Sequence, residues 1–186
     1  MLYLRSLIFL SLVLSNQEST GTDPSQIIIT DTGKYIPYVP TDIDAGPSEG
    51  FILNAHYFPA LKFYNAGRYK DAESQLTYVV VRPHYLEANP RRPEFMSTAH
   101  YLRGMIYVYH ASGLGRYTLA KADFEAAVKW NPLNYVVYLE LSRVYSRLGF
   151  PEEAASVLRH LLSLMPDMMT AEEAQKELSG IPEKAH

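Results

Sequence analysis

The chain has 186 residues, of which 47% are hydrophobic, with 17 basic and 20 acidic side chains and a formal charge of −3. That balance supports a packed core, excludes global disorder, and leaves no basic footprint for nucleic acid. Cysteine is absent, which removes disulfide frameworks, thiolate metal sites, a cysteine nucleophile and a lipid-bearing cysteine.

At the start, Met1 to Arg5 form a short basic stretch before the apolar run Ser6 to Leu14. The run is shorter than the roughly 20 residues that cross a bilayer, and Val13-Leu14-Ser15 offers tolerated residues for signal cleavage. Residues 1–15 therefore read as a cleavable secretory leader, the alternative being a weak anchor that is retained. Lack of cysteine and of any N-x-S/T sequon fits a periplasmic or otherwise exported protein.

Residues 16–50 are an extended linker or docking segment. Gly, Pro, Ser, Thr and Asp dominate Thr20 to Ser25 and Thr41 to Gly50. Between them, Ile27 to Thr30 and Lys34 to Val39 bracket Asp31-Thr32-Gly33, which suggests extended pieces around a turn, with Pro37 confined to an edge. This segment either covers apolar surface of the first helices or tethers a partner.

A domain over residues 51–169 follows, built from copies of one pattern at about 53–82, 97–132 and 135–166. Pro132 and Pro166 each close an apolar run and stand 34 residues apart. In the last copy Tyr138, Leu141, Ser142 and Tyr145 precede Gly149, Ala154, Leu158, Leu161 and Pro166. The middle copy has Gly104, Tyr107, Gly115, Tyr117, Ala120, Phe124, Ala127 and Pro132, with four residues inserted around His110 to Gly113. Either its first helix is about one turn longer or its turn is enlarged. The first copy has Ala60, Phe63, Gly67, Tyr69, Ala72 and Leu76, and its Pro59 should kink or shorten a helix. A Pro/Arg-rich loop, Pro83 to Met96, separates it from the second. Thr170 and Glu173 have capping-box spacing and open a last helix over 170–180, with Ala171, Ala174 and Leu178 as its apolar stripe and Glu172, Glu173, Lys176 and Glu177 pointing away from the core.

These residues and their period resemble the tetratricopeptide repeat. The resemblance implies an all-α fold: a right-handed α-solenoid of about three helix pairs with a C-terminal capping helix, preceded by the extended N-terminal segment. In that family the first helix of each pair lines a concave groove. Carried over position by position, the groove would consist of Asn54, Tyr57, Leu61, Tyr64 and Asn65, then Tyr101, Met105, Val108 and Tyr109, then Leu139, Arg143 and Arg147. Its tyrosines suit a peptide or protein partner, and Arg143 with Arg147, one turn apart, could hold an acidic group. Chaperone-binding members clamp a C-terminal carboxylate with Lys and Asn where this chain has Tyr57, Leu61, Tyr101 and Met105, so that clamp is missing.

For catalysis the sequence is thin. His56, His84, His100, His110 and His160 lack metal-ligand spacing, no phosphate loop occurs, and the carboxylate pairs sit at helix N-termini. His56 and His100 share one repeat position, a packing slot between helices. The sequence thus points to a non-catalytic, exported adaptor or scaffold, such as a subunit of an envelope complex, with a protein or peptide partner in a Tyr-rich groove. It calls for no cofactor, metal or nucleic acid, and for membrane association only through a partner or an uncleaved N-terminus. Two other readings are a self-associating structural subunit and a carrier of a small or lipidic ligand. Nothing in the sequence marks an oligomeric state.

Overall fold

The structure, a computed structural model, describes residues 27–29, 35–37, 47–113 and 115–181. The expected leader, residues 1–15, lies outside them. Two compact units divide the chain, Met1–Ile43 and Asp44–His186.

In the first unit, β1 (Ile27–Ile29) and β2 (Tyr35–Pro37) form an antiparallel pair, with Ile27 opposite Pro37, Ile28 opposite Ile36 and Ile29 opposite Tyr35. These are the extended pieces expected on either side of Asp31-Thr32-Gly33, a stretch that lies outside the described residues. Pro37 is tolerated because a two-stranded sheet consists of edges, where a missing N–H breaks no central ladder.

The second unit is helical. It contains α1 (Pro47–Ile52), a π-helical stretch Leu53–Tyr57, α2 (Phe58–Asn65), α3 (Tyr69–Val80), a 3₁₀ turn Pro83–Leu86, α4 (Arg92–Tyr109), α5 (Arg116–Trp130), α6 (Tyr135–Arg147), α7 (Pro151–Ser163) and α8 (Met168–Gly180). From α2 onward each helix packs on the next in sequence, which gives three helix pairs and a cap.

Pro59 neither breaks nor ends its helix. The turn before it widens, and the Phe58 N–H reaches back five residues to the Leu53 carbonyl. A π turn opens room where the proline ring would otherwise strike the carbonyl four residues earlier, so the helix passes through. The helix also begins at Pro47, inside the stretch that composition assigns to linker.

The insertion in the middle copy enlarges the turn and leaves the helix length alone. Helices α2, α4 and α6 end at Asn65, Tyr109 and Arg147, five residues after Ala60, Gly104 and Ser142 respectively. In the outer copies Gly67 (φ 73°) and Gly149 (φ 82°) take the left-handed conformation that ends the helix. The following N–H groups, of Arg68 and Phe150, donate to the carbonyls of Phe63 and Tyr145, five residues back. In the middle copy the positive φ moves to Gly113 (113°), while Gly115 is an ordinary right-handed residue at −84°. Gly115 matches Gly67 and Gly149 in sequence only.

The Pro/Arg-rich loop is largely structured. It supplies the 3₁₀ turn, with Leu86 fully buried, and the first turn of α4, which starts five residues before the expected repeat boundary at 97.

One slot recurs between the helices of the first two pairs. His56 Nδ1 lies 2.7 Å from Gln75 Oε1, and His100 Nδ1 lies 2.8 Å from Asp123 Oδ1. His56 also stacks on Tyr78. Both histidines occupy the packing position that their shared register predicts. Buried Asp123 is further held by a bidentate pair from Arg103, at 2.8 and 2.7 Å, and Arg103 donates on to Thr77 Oγ1. Burial works against the Arg103 charge, but Asp123 outweighs it and keeps the guanidinium protonated more firmly than usual. In the third pair the slot is filled by Tyr138 and Val157, which need no such network.

The cap helix is seated differently from the sequence expectation. Its N-cap is Asp167, whose carboxylate accepts from the Thr170 N–H at 3.0 Å and from the Thr170 hydroxyl at 2.6 Å. These bonds hold the Asp167 carboxyl below its ordinary value. Ala174 buries completely against Tyr138, Leu139, Leu158 and Leu161.

Candidate partner-binding surface

Six of the twelve expected groove residues are core. Tyr57, Leu61, Tyr64, Tyr101, Val108 and Leu139 are between 2% and 8% exposed. The reason is volume: neighbouring first helices meet through large side chains that fill the space between them. The Tyr57 ring sits edge-on to Phe95 at 5.1 Å, and its hydroxyl bonds to Thr98. Burial pushes the Tyr57 phenol well above its ordinary range, an effect that Thr98 and Arg91 only partly offset. Tyr64 is pushed up to about 12 by burial, with Tyr69, Glu140 and Tyr109 adding to it.

Asn54, Tyr109 and Arg147 are exposed, whereas Asn65, Met105 and Arg143 are half-buried. Tyr109 donates from its hydroxyl to Glu140 Oε2 at 2.9 Å, which ties α4 to α6. Burial and then the Glu140 charge raise the Tyr109 phenol.

Arg143 does not offer a free cation. It pairs with Glu140 on its own helix and with Glu173 and Glu177 on α8. Glu173 and Glu177 thus face α6, which corrects the expectation that they point away. Their four-residue spacing puts both on one helix face, and the arginine supplies the missing partner. Three carboxylates share one guanidinium, so negative charge is in excess there. The Glu177 carboxyl accordingly lies above its ordinary value, through burial first and its acidic neighbours, despite the opposing pull of Arg143.

Arg147, one turn further along α6, is arranged differently. Its Nη1 donates to the Tyr117 hydroxyl at 2.9 Å, and Arg116 Nη2 donates to the same oxygen at 2.7 Å. The two guanidiniums also lie over the Tyr117 ring, at 5.4 and 4.6 Å from its centroid. Their hydrogen bonds lower the Tyr117 phenol below its ordinary value. Sequence reasoning placed Arg147 beside Arg143 and missed Arg116 and Tyr117, because the link runs across the enlarged turn. Arg116 Nη1 anchors that turn by donating to the Ala111 carbonyl at 3.0 Å.

A cleft of about 570 Å³ opens between α6 and α8, where Ser146, Arg147, Lys176 and Ile181 are among the lining residues. Among the described residues, no group of three or more His, Asp or Glu side chains is placed to hold a metal, and no helix is long and apolar enough to cross a membrane.

The family model for the tetratricopeptide repeat matches residues 97–132, the middle pair. Among solved structures, the chain is similar to the first tetratricopeptide-repeat domain of Spaghetti (RPAP3), described as bound to the HSP90 peptide SRMEEVD. The two share 22% identity, with a TM-score of 0.51 over 75% of this chain and 95% of that one. No curated protein matches the sequence. The middle pair thus matches the tetratricopeptide repeat, and the stacked helix pairs share the fold of a tetratricopeptide-repeat domain.

Proposed function

We propose that the protein is a non-catalytic adaptor that holds a protein or peptide partner on its repeat scaffold. The observation that carries this is the fold itself, three stacked helix pairs presenting one continuous surface, in a family of interaction modules. A peptide-bound relative of the same fold supports it. Because the centre of the expected groove is packed with its own tyrosines, partner contact falls on the exposed and half-buried positions, Tyr109, Met105, Asn54 and the α6–α8 cleft.

Export to a periplasm or cell envelope, as a subunit of a larger complex there, is the cellular setting we propose. Its support is the apolar run Ser6 to Leu14 with its basic start. Sequencing the N-terminus of the protein recovered from its native cells tests export. A start beyond residue 15 supports it, and a retained Met1 in a cytoplasmic fraction contradicts it. Affinity purification after mild crosslinking tests the adaptor role. One heterologous protein in stoichiometric yield supports it, and recovery of the chain alone points to self-association instead.

A further inference from the structure

Charge along α6 is segregated within a single turn. Arg143 is surrounded by Glu140, Glu173 and Glu177. Among the described residues no carboxylate pairs with Arg147 or Arg116, which converge instead on one phenol oxygen. Two like charges are thereby held close together at the surface, an arrangement that costs repulsion unless an anion completes it. Tyr117 fixes both guanidiniums through a single rigid ring, and each keeps further N–H donors for another acceptor. Exposed Tyr109 lies within electrostatic reach of Arg147, so aromatic and arginine side chains cluster in the manner of interface anchors.

We propose that Arg116, Tyr117 and Arg147 form an anchor for an acidic segment of the partner, in which an Asp or Glu carboxylate docks between the two guanidiniums. This rests on the adaptor reading and names the chemistry of the partner. The anchor lies where the second and third repeats meet at the enlarged turn, away from the tyrosine-packed centre. The glutamates around Arg143 give it polarity, because an acidic segment is repelled there and is directed towards Arg147.

Fluorescence anisotropy with a labelled, C-terminally amidated hexaglutamate peptide tests this, with hexaglutamine and hexalysine peptides as comparisons. Salt-sensitive binding of hexaglutamate is expected, weakened about tenfold by Arg116→Ala with Arg147→Ala. Tyr117→Phe, which keeps the ring but frees both arginines, is expected to weaken it about threefold. Lys129→Ala with Arg159→Ala removes the same charge elsewhere and should leave binding within about twofold. Equal loss in that control, equal binding of hexalysine, or displacement of the peptide by inorganic phosphate at constant ionic strength would overturn the proposal. Circular dichroism checks that each variant is folded, and Arg116→Lys with Arg147→Lys, expected to retain part of the affinity, covers a misfolded alanine pair. If the alanine pair still captures the native partner at full yield, the anchor is wrong and the adaptor reading stands. If neither chain captures a partner, the adaptor reading has failed.

Discussion

A β-carbon at position 104 would lie 2.5 Å from Cε1 of Phe124, so only glycine lets α4 and α5 approach as they do. The repeat-equivalent pairs are Ala60 with Leu76 and Ser142 with Leu158, all buried. The smallest residue thus faces the largest, and the other two copies compensate in the opposite sense. Ser142 further satisfies its hydroxyl by donating to the Ala154 carbonyl at 3.2 Å. Gly104→Leu should destabilise by about 1–3 kcal/mol or more through overpacking. Gly104→Ala should do so less, and should be better tolerated together with Phe124→Leu, which recreates the first repeat's pair. Urea unfolding of the single and double variants checks this. Additive effects would contradict the pairing.

Asp123 is buried between Arg103 and His100, so truncating it strands Arg103. Asp123→Ala is expected to cost about 3–5 kcal/mol. Replacing the whole set, with His100→Leu, Arg103→Met and Asp123→Leu together, should recover most of that loss, as the apolar third repeat suggests. Thermal unfolding at neutral pH distinguishes the two.

The raised tyrosines predict loss of stability in alkali. Tyr64 in the folded chain holds its proton up to about 12, while its unfolded value is 10.0. Its contribution is complete below pH 10 and is lost as pH rises towards 12, with a slope of about 1.4 kcal/mol per pH unit for such a group. Tyr64→Phe should flatten the stability profile in that window, read by denaturant midpoints at successive pH values. An unchanged slope would mean that Tyr64 titrates as if exposed.

Docking of the cap helix should depend on Arg143 more than on any one carboxylate. Arg143→Met is expected to speed amide exchange throughout α8 while leaving α4 and α5 protected. Glu177→Gln should be neutral or mildly stabilising near pH 7. Its folded carboxyl lies above the unfolded value, so its contribution is present at acid pH and is lost as pH rises through the folded value. Marked loss of protection in Glu177→Gln would show that its ion pair outweighs the excess charge.

The stacked helical pairs and the extended pieces on either side of Asp31-Thr32-Gly33 were legible in the sequence, because each rests on local periodicity or strand propensity. Gly104 was legible for the same reason, as the small residue at a helix crossing. The binding surface was less so. Register alone assigns Tyr57 and Tyr101 to a groove, but whether a groove position is open depends on the bulk of the facing helix, here Phe95 beside Tyr57. The α8 partners of Arg143 and the Tyr117 partner of Arg147 lie at least 30 residues away, where spacing carries no signal. Glu140, a buried acid on an apolar helix, was the available clue that an arginine nearby was already engaged.

The most direct test of the adaptor account is photocrosslinking in native cells from a reactive residue placed at the exposed position of Tyr109. The account predicts one covalent adduct with a single heterologous protein, diminished by Arg116→Ala with Arg147→Ala. Adducts of the chain with itself alone, or none at all, would contradict it.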